Sequence, residues 1–66
     1  MLPLTDQLID SFKDTARKLT GANRRGFQAR ITRDFLDGNA RQAESIFGWS
    51  RDAVALGLTE LRTGII

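Results

Sequence analysis

The residues of this chain best suited to chemistry are its arginines. Eight of the ten cations in its 66 residues are Arg, and histidine and cysteine are both absent. The planar guanidinium fork matches phosphate oxygens and guanine edges. The missing imidazole and thiol remove the usual general base, the cysteine nucleophile and the thiolate zinc site together. The expected chemistry is binding of an anionic partner rather than turnover. No catalytic residue, cofactor, metal ion or small-molecule substrate is assigned to these residues. Asp6, Asp10 and Asp14 recur at a spacing of four, which sets them on one exposed helix face with no cleft to exclude water, so they make no metal site.

The charges are segregated along the chain. Between Arg17 and Arg33 lie six cations (Arg17, Lys18, Arg24, Arg25, Arg30, Arg33) and no acid. Residues 1–16 hold one Lys against three Asp, and residues 34–66 hold three Arg against five acids, so each flank carries a net charge of −2. The total of +2 therefore conceals a basic block, the electrostatic pattern expected of a protein that meets double-stranded DNA.

Elements that could position such a block follow from the hydrophobic spacing. With 41% hydrophobic and 27% charged residues the chain reads as one small folded domain, residues 1–66, too short for a second core. No apolar run approaches the roughly 20 residues of a spanning helix, and no basic n-region precedes a signal core, so no membrane is expected and a cytoplasmic, nucleoid-associated location is. Thr5 caps a first helix whose Leu8, Phe12, Ala16 and Leu19 share a stripe, with Leu4 and Ile9 as a hydrophobic staple, until Gly21 stops it. Asn23 is expected to cap a second helix carrying Phe27, Ile31 and Phe35, ended by Gly38. Asn39 with Gln42 resembles a capping box that opens a short third helix, closed by Gly48, and Ser50 caps a fourth with Val54, Leu58 and Leu61 inward, until Gly64. No segment reads as a strand. The fold class is all-α, a small four-helix bundle with one core of Phe12, Leu19, Phe27, Ile31, Phe35, Phe47, Trp49, Val54, Leu58 and Leu61.

The stretch from Ala40 to Leu58 has the form of a helix-turn-helix: a short helix, a turn containing Gly, and a Ser-capped longer helix. Ala43 allows a close helix approach, Gly48 can reverse the chain, and Phe47, Trp49 and Val54 plug the corner between the helices. Two residues depart from the usual pattern. Glu44 stands at the normally small fifth position of the motif, and Gly57 interrupts the last helix at a cost of about 1 kcal/mol relative to Ala. Gly57 either permits close packing against helix 1 or 2 or marks a weak helix.

A rigid corner projects the first turn of the last helix towards a major groove. The expected DNA-binding residues are Ser50, Arg51, Asp52, Ala55 and Thr59 on that helix, with Arg51 placed for guanine or phosphate, joined by Arg24, Arg25 and Arg41. Ordinary capping and dipole matching explain Ser50 and Asp52 equally well. Arg24 and Arg25 fall in a first helical turn, where the dipole disfavours cations by about 0.3–1 kcal/mol each. Phosphate contact and a solvated basic face both remain open for them. Arg30 and Arg33 are free to pair with Asp10 or Asp14.

Several segments together resemble a known family. The run Lys18–Ala29, the segment Leu36–Glu44, the turn Phe47-Gly48-Trp49-Ser50-Arg51 and the ending Gly57–Ile65 are similar to the N-terminus of bacterial insertion-sequence transposases with an acidic-triad catalytic core. The resemblance spans nearly the whole chain. It implies a DNA-binding domain that recognises the terminal inverted repeats of its element. It further implies that the chain continues past Ile66 into an RNase H-like domain, the remainder of the transposase chain being its covalent partner. None of that catalytic domain lies in these residues. A second class of function is a helical protein-interaction or dimerisation domain, in which Leu2, Leu56, Ile65 and Ile66 form an apolar patch for a homodimer.

Overall fold

In the computed structural model, residues 4–64 are described, and they form four α-helices with no strand among them. Thr5 opens α1 (Asp6–Lys18), its Oγ1 accepting the Leu8 N–H at 3.1 Å. The extended backbone of Leu19 and Thr20 ends it, and α2 (Gly21–Leu36) begins at once. This corrects the expected Asn23 cap: Asn23 lies inside the first turn of α2, and Gly21 starts that helix instead of merely stopping the one before. With φ at +55°, Gly21 takes a left-handed conformation that L side chains rarely adopt, which lets the chain turn with only two residues between helices.

Asp37 and Gly38, both left-handed, close α2, and the Gly38 N–H returns to the Thr32 carbonyl at 2.9 Å. The Asn39 side chain then accepts the Gln42 N–H at 3.1 Å and starts α3 (Ala40–Phe47). The Asn39 N–H itself goes to the Leu36 carbonyl, so the reciprocal arm of the capping box is not used. Gly48, at φ +74°, donates its N–H to the Glu44 carbonyl at 2.9 Å and reverses the chain. Trp49 and Ser50 complete the turn, and Ser50 caps α4 (Arg51–Thr63).

The core forms where α2 meets all three other helices. Phe12 on α1 has the rings of Phe27, Phe35 and Phe47 around it, with centroids 6.3, 5.1 and 6.2 Å away, and Trp49 stacks on Phe47 at 4.3 Å. Phe47, Trp49 and Val54 are buried at the α3–α4 corner, as their spacing predicts. Two residues of the expected core are only half-buried and stand outside its cluster, Leu19 and Leu61. Leu36 is buried in addition, and so are Ala16, Ala29 and Ala43, whose small side chains allow these short helices to approach closely.

Gly57 belongs to this packing. It is buried against α2, where a Cβ would come within 2.6 Å of the Arg25 carbonyl oxygen and 3.0 Å of the Ala29 Cβ. Close packing against helix 2 is therefore the reason for the glycine, and the crossing of α2 and α4 offsets its poor helix propensity.

Candidate nucleic-acid interface

The start of α4 is built from its cap outward. Ser50 Oγ accepts the Ala53 N–H at 3.3 Å, and Asp52 in the first turn complements the positive end of the helix dipole. Val54 and Gly57 face inward and are buried, whereas Ser50, Arg51, Asp52, Ala55 and Thr59 are exposed. Helical spacing sets those last residues along one outer side of α4. Arg51 takes part in no salt bridge among the described residues, so its guanidinium is free for an external partner. Thr59 donates its hydroxyl to the Ala55 carbonyl at 3.1 Å, leaving it an acceptor to the outside. Arg41 is exposed in the first turn of α3.

Arg24 and Arg25, near the start of α2, have internal partners that the sequence does not reveal. Arg24 reaches back to the end of α1, its Nε donating to the carbonyls of Ala16 and Leu19 at 2.9 Å each and Nη2 to that of Arg17 at 3.4 Å. It adds donors to the carbonyls at the negative end of the α1 dipole, where the Ala16 carbonyl also takes the Leu19 N–H, a structural reason for a cation at this position. Arg25 holds Glu60 of α4 in a two-pronged ion pair, Nε to Oε1 and Nη2 to Oε2, the latter at 3.0 Å. That hydrogen bond lowers the Glu60 carboxyl below its ordinary value and raises the Arg25 guanidinium above its own. Side-chain exposures of 27% for Arg25 and 15% for Glu60 leave little of the pair for a ligand.

The remaining ion pairs are local. Lys18 first, and then Arg17, hold the Asp14 carboxyl below its ordinary value, with contacts of 3.0 and 3.1 Å. Arg33 pairs with its neighbour Asp34 at 3.0 Å, so the expected partnership with Asp10 or Asp14 is not formed. Arg30 makes no salt bridge among the described residues.

Beside the start of α4 lies a cleft of about 330 Å³ whose lining includes Lys13, Arg17, Arg24, Gln28, Trp49 and Ser50 and no acid. Of the expected site residues the cleft brings only Arg24 and Ser50 to one place; Arg25, Arg41, Arg51, Asp52, Ala55 and Thr59 are not among its walls. Lys13 and Gln28 were not expected at the site. The available signal is Gln28 itself, an amide on the inward side of α2 between Phe27 and Ile31, where an apolar residue would be ordinary.

Leu56 is the only large hydrophobic residue exposed among the described residues, at 52%. Leu2, Ile65 and Ile66, the other members of the expected apolar patch, lie outside the described residues. Among the described residues no group of three acidic side chains is placed to hold a metal ion, and no helix is long and apolar enough to cross a membrane. No family model, curated protein or solved structure matches the chain.

Proposed function

We propose that the chain is a double-stranded-DNA-binding domain that reads sequence with the first turn of α4, and that it serves a transposase by recognising the terminal inverted repeats of its element. The observation that carries the DNA reading is the α3–α4 corner. A turn of three residues, plugged from inside by buried Phe47, Trp49 and Val54, holds out a helix start on which Arg51 is exposed and without an ionic partner. A helix held in this way fits a major groove, and a guanidinium at its start fits guanine. The transposase assignment rests on the resemblance of the segments from Lys18 to Ile65. In it the chain acts as the recognition module and a downstream domain supplies catalysis.

Sequence selection from a pool of random duplexes, followed by amide-shift mapping with the selected duplex, tests the reading. The shifts are expected at Ser50 to Ala55; shifts confined to the first three turns of α1 would overturn it. Dimerisation through Leu56 is the competing reading, and salt separates the two. DNA binding through arginine weakens steeply as salt is added, and apolar self-association does not.

A further inference from the structure

The cleft beside α4 contains a polar group that the fold does not use. Gln28 is 7% exposed and lines the cleft, yet its side-chain amide takes part in none of the side-chain hydrogen bonds among the described residues; only its backbone carbonyl does, accepting from Thr32 at 2.8 Å. Among the described residues no buried side-chain nitrogen or oxygen is left without a partner, so the Gln28 amide is reached by solvent, and Gln28 lines the cleft. An amide that the fold leaves unpaired keeps its N–H donors and its carbonyl acceptor for a group that enters the cleft.

Around that amide the cleft offers donors and positive charge. Lys13 has no ion pair among the described residues. Arg17 shares its charge with Asp14, and Arg24 keeps guanidinium hydrogens beyond those it gives to the α1 carbonyls. Ser50 and Ala53 bring the start of α4 to the cleft wall. Since the Ser50 hydroxyl meets only the Ala53 N–H, the N–H groups of Arg51 and Asp52 have no intrahelical partner and the Ser50 O–H is free to donate. A set of N–H and O–H donors with three cations and no acid in its lining suits an oxyanion such as phosphate.

From this we infer a phosphate site in the cleft between the last turns of α1, the middle of α2 and the first turn of α4. It takes one phosphodiester of the DNA backbone, with the Gln28 amide and the Ser50 hydroxyl donating to its oxygens, Lys13 supplying charge and the start of α4 adjacent. The inference rests on the DNA reading for the source of the phosphate, and on the cleft alone for the site. It would lock the register of α4, because a phosphate held beside Ser50 fixes how far the Arg51 edge enters the groove.

The test uses the 66-residue chain labelled with nitrogen-15 and two variants, Gln28→Met, which keeps the shape of the side chain, and Lys13→Gln at an exposed position. Inorganic phosphate, compared with chloride at equal ionic strength, is expected to shift the Gln28 side-chain amide and the Arg51 and Asp52 backbone amides in the parent chain. A random-sequence duplex is expected to bind each variant about tenfold more weakly. Lys13→Gln should flatten the salt dependence by about one unit of slope and Gln28→Met should leave it unchanged. Phosphate shifts no larger than those of chloride, together with duplex affinity unchanged in folded Gln28→Met and Lys13→Gln, would overturn the site even where α4 still reads sequence. Phosphate shifts at the cleft in a chain that binds no duplex would keep the site, with free phosphate as its ligand, and overturn the DNA reading.

Discussion

α2 and α4 both carry arginine in the first turn, where the helix dipole opposes a cation, and the two helices resolve that conflict differently. In α2, Arg24 turns back onto the carbonyls ending α1 and Arg25 turns across to Glu60, so both cations are held by local negative groups. In α4, Asp52 follows Arg51 and complements the dipole, and Arg51 is left exposed. The arginines of this chain are therefore of two kinds. Arginines of the first kind join helices of a domain too small to rely on its core alone. Those of the second remain available to a partner.

The contrast fails most completely where the corner is emptied. Phe47→Ala removes a side chain that is 3% exposed and stacked on Trp49. It should cost about 3–5 kcal/mol, comparable to the whole stability of a domain this size. Chemical denaturation should find the variant largely unfolded. A cooperative transition near that of the parent chain would mean that the corner does not hold α4 in place.

Gly57→Ala comes next. The added methyl gains helix propensity but meets the Arg25 carbonyl, and forcing α4 away from α2 should destabilise by about 1–3 kcal/mol. A rise in the melting temperature would show that the crossing can widen freely. Arg24→Ala should cost about 1–2 kcal/mol, because it uncovers the carbonyls at the end of α1, and should weaken cognate and random duplex alike. Unchanged stability would place Arg24 with Arg51 in the second kind of arginine.

The smallest effect is a pH dependence. Because Arg25 depresses the folded carboxyl of Glu60, the pair contributes stability above the ordinary value of 4.5, and that contribution is lost as pH falls through the lower folded value. Glu60→Gln should flatten the fall in melting temperature as pH drops below the ordinary carboxyl value of 4.5. An identical acid profile in parent and variant would detach Glu60 from the α2–α4 joint. Asp14 titrates in the same direction, but its side chain is 50% exposed and salt screens its ion pairs.

The caps were legible in sequence because capping is local: Thr5, Asn39, Ser50, Gly48 and Gly64 act where their residue types predict. The corner plugs were legible too, since three large apolar residues around a glycine have little else to do. The start of α2 was not, because Asn23 is a good cap and the alternative depends on Gly21 taking a left-handed conformation. Arg25 and Glu60 are separated by 35 residues, and only the crossing at Gly57 brings them together. The internal partners of Arg24 and Arg25 were hidden for that reason: they belong to other helices. At the site, the outer side of α4 follows from helical spacing, whereas the cleft with Lys13 and Gln28 exists only once α1, α2 and α4 are assembled.

The central claim is that the first turn of α4 reads sequence, and the affinity of Arg51→Ala for selected and for random duplex tests it most directly. The account predicts a loss of about 1–3 kcal/mol on the selected sequence and much less on random duplex, because a guanidinium on a base edge discriminates among bases. Equal losses on both would make Arg51 a phosphate anchor and would contradict the assignment of α4 as the reading helix.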